Sequence, residues 1–520
     1  METSPPPKVK DASKPRKRFI GKAGKPSTKS GAHVVSHQIP ADVLEDPLLN
    51  EAIRQLPPNY SFEIHKTVHQ IRKHGAKMVA LQMPEGLLMF ACTIADIVER
   101  FTDVLTVIMG DVTYGACCID DYTAAALGCD MLIHYGHSCL VPIDTTTIKT
   151  LYVFVEIAID GAHLVNTIRT NFPSDRARFR EKVLVPGSHS EGVAPGTQLA
   201  GLSRLQLEQA PTLDPPGQPP SQPELLPSVH ISPTKFALVS TIQFVAAVQS
   251  LHDNLLINLS NGEQQPLSEG PAGLTTGGHS IAGSSNSSSS LHLGRDGGKY
   301  DVVIPRAKPL SPGELLGCTA PRLAPDVDAL IYVGDGRFHL ESIMIMNPEV
   351  PAFRYDPYSK KLTRERYDHE EMKSLRMQAV RTARKNITAC SSSDEQPLWG
   401  VVLGTLGRQG NFKQLQHIMH QLASNSIPIP FMPILISELS PAKLSLFPSD
   451  HISTFVQTSC PRLSIDWGYA FTKPLLSPYE ASITVGAIQS WEDEGDVYPM
   501  DFYDANGKAA LARRVGARVV

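Results

Sequence analysis

The eight cysteines of this 520-residue chain, at positions 92, 117, 118, 129, 139, 318, 390 and 460, offer its widest choice of chemistry. In a reducing compartment they are thiols, so the functional ones are metal ligands or nucleophiles and not halves of disulfides. No Cys-x-x-Cys pair occurs, which counts against a zinc ribbon or a thioredoxin-like redox site. Cys117 stands in Gly110-Asp111-Val112-Thr113-Tyr114-Gly115-Ala116-Cys117-Cys118-Ile119-Asp120-Asp121, directly after the apolar run 104–109. That places it on a loop leaving a buried strand, where open α/β sheets hold their ligands. Taken alone, Cys117, Cys118, Cys129 and Cys139 have no regular metal-ligand spacing and read first as small buried apolar side chains.

Other chemistries are missing or ambiguous. There is no Gly-x-x-x-x-Gly-Lys-Ser/Thr loop, and no Gly-x-Gly-x-x-Gly after the first strand. Gly404, Gly407 and Gly410 recur every third residue, so their amides either line a polar ligand or simply make a tight turn. His134, His137 and His339 lie at or just past strand ends, and each reads first as a structural histidine. Asp335, Glu438 and Asp466 are candidates for proton transfer, or else solvated loop charges.

Alternating patterns supply the elements that position these residues. Apolar runs at 77–83, 104–109, 131–135 and 151–157 predict four strands, with helices between them over 87–101 and 122–127. The pattern resumes with strands at 236–244, 300–304 and 329–333, then at 399–403, 431–436 and 454–457, with helices at 365–385 and 412–423. Each series begins with a strand breaking into a polar or glycine-bearing loop: Gln82-Met83-Pro84-Glu85-Gly86, Ser240-Thr241-Ile242-Gln243 and Gly404-Thr405-Leu406-Gly407. Each also carries a cysteine on a loop after a later strand: Cys117 and Cys318 after the second, Cys460 after the last, which makes Cys139 as close a positional counterpart of Cys460 as Cys117 is. This weak repeat predicts three related α/β domains, each a small parallel sheet flanked by helices. The expected divisions are a basic disordered tail 1–37, domain 1 at 38–171, a low-complexity insertion 172–233, domain 2 at 234–345 with a further insertion 259–298, domain 3 at 346–490 and a C-terminal tail 491–520.

Composition narrows the class. With 42% hydrophobic and 19% charged residues, most of the chain is expected to be globular. Residues 1–33 carry a net +7 within a whole-chain charge of −4, leaving −11 on the remainder. An acidic body argues against direct nucleic-acid binding. No run reaches the roughly 18 apolar residues of a spanning helix, and no signal sequence opens the chain, so a soluble cytoplasmic protein without membrane contact is expected.

Six segments together resemble the diphthamide biosynthesis family: Met83-Pro84-Glu85-Gly86-Leu87-Leu88; the stretch Gly110 to Cys118 above; His134-Tyr135-Gly136-His137-Ser138-Cys139; Gly334-Asp335-Gly336-Arg337-Phe338-His339; Tyr355-Asp356-Pro357-Tyr358; and Cys460-Pro461-Arg462-Leu463-Ser464-Ile465-Asp466-Trp467-Gly468. The resemblance covers about 35–505 apart from the two insertions. It implies that Cys117, Cys318 and Cys460 bind a [4Fe-4S] cluster at the centre of a pseudo-threefold arrangement, leaving one iron open to S-adenosylmethionine. It also implies the reaction: reductive cleavage at sulfur and addition of the 3-amino-3-carboxypropyl radical to C2 of a histidine in translation elongation factor 2, with methylthioadenosine released. Implied partners are a paralogous second subunit, forming a heterodimer, the elongation factor and an external electron donor. Cofactor contacts are expected from Gln82, Gly86, Thr241, Gln243, Gly404, Gly407, Arg408, Gln409 and Gly410, so that Ala at 408 and 409 should weaken S-adenosylmethionine binding and spare the cluster. A purely structural or electron-relaying subunit is the alternative within that family, and a small-molecule binding protein with incidental cysteines the alternative outside it.

Overall fold

Strand-forming runs of the sequence assemble, in a computed structural model, into three sheets of four or five strands and one two-stranded pair. The structure describes residues 39–110, 119–136, 141, 143–184, 232–257, 298–389, 398–408, 410, 412–448, 451–493, 495, 497–504 and 506–511. Cys117, Cys118, His137, Cys139, Cys390 and Gln409 therefore lie outside the described residues, as do the tail 1–38 and the insertion residues 185–231 and 258–297.

The first strand, β1 (Tyr60–Ser61), precedes the first sheet, which comprises β2 (Met78–Gln82), β3 (Leu105–Ile108), β4 (Met131–Tyr135) and β5 (Lys149–Val153). Its order is β3-β2-β4-β5, all parallel. All five residues of β4 are buried, as a parallel strand covered on both faces requires. The expected strand 151–157 is split, because Val155 takes a left-handed φ of 53° that no strand accommodates. Its second half, β6 (Glu156–Ile157), pairs with β1 instead.

The second sheet contains β7 (Lys235–Ser240), β8 (Asp301–Val303), β9 (Ala329–Val333), β10 (Ala352–Asp356) and β11 (Lys361–Glu365), in the order β8-β7-β9-β10-β11. Only β11 is antiparallel, folding back on β10. Two expectations change here. Residues 352–356 do not open the third series, since they pair with β9 as a fourth parallel strand. Nor are residues 172–184 loop: helix Arg176–Val183 and the preceding helix Gly161–Asn171 send Leu164, Ile168, Phe172, Phe179 and Val183 into one core with Phe236, Tyr300 and Phe353. Phe172 and Phe353 have ring centroids 4.8 Å apart. Apolar side chains at helical spacing settle that segment despite its polar neighbours.

The third sheet joins β12 (Leu398–Gly404), β13 (Phe431–Ile436), β14 (Ile452–Gln457) and β15 (Leu475–Leu476) in the order β13-β12-β14-β15, all parallel. β15, two residues long, follows the strand expected to be last. The expected C-terminal tail is instead packed: Trp491, Tyr498 and Met500 are buried against this sheet's helices, and Lys508 N and Ala509 N donate to Asp501. In each sheet the first four strands in the chain lie in the order second, first, third, fourth, so the crossover direction reverses between the first and third strands. Among the described residues, no helix is long and apolar enough to cross a membrane.

Candidate functional site

The loops singled out as cofactor contacts all leave the carboxyl end of a first strand, at the point where strand order reverses. In the first sheet that residue is Gln82, buried and in register with His134. Its Oε1 accepts from Asp120 N at 3.1 Å and from His134 Nδ1 at 3.0 Å. His134 is thus a structural brace, and Gln82 fixes the chain just beyond Cys117. Gly86 lies on the following 3₁₀ helix, Glu85–Phe90. Loops of the first and second sheets meet nearby: a Cβ on Gly136 would lie 3.2 Å from Pro84 Cγ and 3.8 Å from Gln243 Nε2. In the second sheet, the buried hydroxyls of Ser240 and Thr241 find no hydrogen-bond partner among the described residues. Such orphans are what a polar ligand would satisfy.

The third-sheet loop is already engaged. Gly410 N donates to Gly404 O and Arg408 N to Ile119 O, so the glycine series makes a tight turn and these amides serve the protein itself. Arg408 Nε and Nη2 donate to the two Asp121 oxygens at 2.7 and 2.8 Å, and Nη2 also donates to Thr145 O at 2.7 Å. Its guanidinium lies 4.6 Å from the Tyr122 ring centroid. Burial alone would raise the Asp121 carboxyl, but hydrogen bonds from Arg408, from the Thr147 amide and from the Thr147 hydroxyl outweigh it and hold the group below its ordinary value. Gly407 has φ 57°, and a Cβ there would come within 2.8 Å of Ile119 O. Arg408 and Gly407 therefore clamp the third sheet's loop onto residues 119–121, directly after the Cys117 stretch.

Cys318 lies on the loop between β8 and β9 and is buried. Phe502 N donates to its carbonyl at 3.2 Å, so part of the expected tail covers it. Cys460 follows β14, the third strand of its sheet. Gln457 staples its turn, donating from Nε2 to Cys460 O at 2.9 Å and accepting from Ser459 N at 2.8 Å. Two residues on, Arg462 crosses to the second sheet: Nη1 donates to Gly317 O at 3.3 Å and Phe338 O at 2.7 Å, Nη2 to Glu341 at 2.5 Å, and Nε to Asp466 at 2.8 Å. The cation also lies 4.5 Å from the Phe338 ring centroid. Cys318 and Pro461, the neighbour of Cys460, line one cavity of about 20 Å³. That is room for about one water, so the cavity marks the adjacency of two loops and not the volume of a ligand.

The structure thus brings the loops of Cys318 and Cys460 together. Among the described residues no three His, Cys, Asp or Glu side chains converge as a metal set; the third expected ligand, Cys117, is outside them. The donor type fits an iron–sulfur group, since thiolate is the soft ligand that iron clusters select. Asp466 belongs to Arg462, Glu438 pairs with Lys443 at 3.0 Å on the surface and Asp335 is exposed, so none of the three stands as an acid or base in this site. Sequence reasoning missed Asp121, Gln457 and Arg462. The available signal was their position within a few residues of a candidate cysteine.

A profile of the family described as "Putative diphthamide synthesis protein" matches residues 83–185 and 224–496. The chain is 46% identical to 2-(3-amino-3-carboxypropyl)histidine synthase subunit 1 of Gallus gallus, covering 91% of this chain and 87% of that one. It is 44% identical to the protein of the same name in Schizosaccharomyces pombe, covering 95% and 92%, and 44% identical to that of Homo sapiens, covering 90% and 81%. Its fold is similar to a crystal structure of Dph2 from Pyrococcus horikoshii with a 4Fe-4S cluster, with a TM-score of 0.50, 17% identity and coverage of 85% and 93%.

Proposed function

Because the chain belongs to the diphthamide synthesis family, we propose that it carries out the first step of diphthamide biosynthesis, transferring the 3-amino-3-carboxypropyl group of S-adenosylmethionine to C2 of a histidine in translation elongation factor 2. Its relatives named as subunit 1 at 44–46% identity over at least nine-tenths of this chain support that assignment. The observation that carries the site is the seam at which the Cys318 and Cys460 loops are tied by one buried arginine. Cys117, Cys318 and Cys460 would hold a [4Fe-4S] cluster, in keeping with the crystal structure of similar fold. When bound, that group supplies the electron that cleaves the sulfur–Cγ bond of the methionine moiety.

This chain's own residues then position and exclude. Thr241, with Ser240 beside it, offers buried hydroxyls to the aminocarboxypropyl part of the substrate; Gln243 borders the junction of loops with Pro84 and Gly136, and Gly86 follows two residues after Pro84. Gln82, Gly404, Gly407, Arg408 and Gly410 hold the walls. The common strand order of the three sheets supports three related domains, arranged with pseudo-threefold symmetry about the cluster. A paralogous second subunit and an external electron donor complete the system, in the cytoplasm. The test is anaerobic turnover with that subunit, a reductant, S-adenosylmethionine and the elongation factor. Release of methylthioadenosine with a matching gain in mass of the elongation factor, abolished by Cys318→Ala, is the expected result; full turnover by Cys318→Ala contradicts the reading.

A further inference from the structure

We infer that Arg462 is a positioning residue, setting the relative placement of the Cys318 and Cys460 loops; this rests on the cluster reading above. Three observations converge on it. Arg462 is only two residues beyond Cys460, and one of its hydrogen bonds ends on Gly317 O, the carbonyl immediately before Cys318. Its remaining donors reach Phe338 O and Glu341, at the start of the helix that follows β9, and Asp466 on its own helix. The contact is also closed sterically. Phe338 packs under the guanidinium on one side and against Gly317 on the other, where any Cβ would overlap the ring. Backbone, ring and cation form one stack, so a shift of either cysteine loop must disturb the other.

The stack works through geometry and not through a charge offered to the cluster. Glu341 and Asp466 both sit on the guanidinium and Glu341 also lies 3.6 Å from Arg337, so these two cations and two carboxylates balance among themselves. Lysine would keep the positive charge but lacks the planar fork that serves two carbonyls and two carboxylates at once. Groups that orient metal ligands from outside the coordination sphere change metal affinity or activity by about 10–100-fold when removed.

The experiment compares anaerobically reconstituted wild type with Arg462→Gln, Arg462→Lys and Arg376→Met, by iron and sulfide content, electron paramagnetic resonance, rate of iron loss to a chelator and thermal unfolding. Arg376 is equally buried, and among the described residues its hydrogen bonds go to Glu480 and Leu475 O and to neither cysteine loop, although its guanidinium lies against Gly468 at the end of the Arg462 helix. The expected result is an altered resonance and iron loss accelerated about 10–100-fold in both Arg462 variants, with Arg376→Met less stable but showing the wild-type resonance and rate. Should Arg462→Gln not fold, Glu341→Gln, which removes one partner at the partly exposed edge of the stack, must still alter the resonance or quicken iron loss. Wild-type resonance and rate in whichever Arg462 or Glu341 variants fold, or an equal change in Arg376→Met, overturns the inference. Wild type without iron would instead overturn the cluster reading itself, so the two failures are distinguishable.

Discussion

Two arginines of the third sheet, Arg376 and Arg462, are each 2% exposed in their side chains, yet they do different work. Arg376 lies in the core. It makes a two-pronged pair with Glu480 at 2.7 Å, donates to Leu475 O, and shares Glu480 with the Tyr498 hydroxyl and the Ser477 amide. Leu475 and Glu480 belong to the third sheet and a helix on it, Ser477 caps that helix, and Tyr498 comes from the C-terminal segment packed over them. Arg462 lies at a seam, and most of its donors leave for the loop and helix of the second sheet. Burial of an ion pair is therefore a poor guide to function, because the desolvation of both charges offsets most of their attraction wherever they lie. The informative question is which pieces of chain the donors connect. By that criterion Arg408 belongs with Arg462, since it joins the third sheet to Asp121, 287 residues earlier in the chain.

Four substitutions would sharpen or break the contrast. The largest effect on folding is expected in the core: Arg376→Met strands Glu480 without its cation and should cost about 3–5 kcal/mol in chemical denaturation. Little loss of stability would show that the core pair contributes no more than a surface pair. Asp121→Asn, at the other seam, should cost about 2–3 kcal/mol near neutral pH through loss of charged hydrogen bonds. It should also flatten the acid limb of the stability profile. The folded Asp121 carboxyl is held below its unfolded value, so its contribution is present above the unfolded pKa and is lost as pH falls through the folded one. An unchanged acid limb would contradict the assignment of Asp121 as a paired carboxylate.

Gly407→Ala tests the same seam from the opposite side. A left-handed backbone alone costs a residue with a Cβ about 1–2 kcal/mol, and the approach of Ile119 O adds to it. Neutrality by thermal unfolding would mean that the loop is not pressed onto residues 119–121. The smallest effect is expected from Glu438→Gln, where the carboxylate is 58% exposed and, among the described residues, paired with Lys443 alone. It should change stability by less than about 1 kcal/mol, and a larger loss would show that exposure misjudges that loop.

How much of this could be read from residues depended on range. β4, β9 and β13 match their expected bounds residue for residue, as does helix Phe412–Ala423, because continuous apolar runs and a strong helical stripe are local signals. Assigning 352–356 to the third series failed because strand pairing is not local, and nothing in Ala-Phe-Arg-Tyr-Asp says which sheet receives it. β15 is too short to show a period. The site divided in the same way. Residue types and loop positions singled out cysteines, but the family resemblance was needed to choose Cys117, Cys318 and Cys460 among eight. Arg408, expected at the cofactor, lies in an ion pair whose partner no spacing rule could find. Arg462 was visible within a matching motif, while its contacts to Gly317 and Phe338 exist only once two sheets have met.

Anaerobic iron quantification with electron paramagnetic resonance, on wild type and on the Cys117→Ala, Cys318→Ala and Cys460→Ala variants, tests the central claim most directly. The account predicts a reducible four-iron signal in wild type and its loss or marked alteration in all three variants. A wild-type signal in Cys318→Ala or Cys460→Ala, or a signal abolished by Cys139→Ala and untouched by Cys460→Ala, would contradict it.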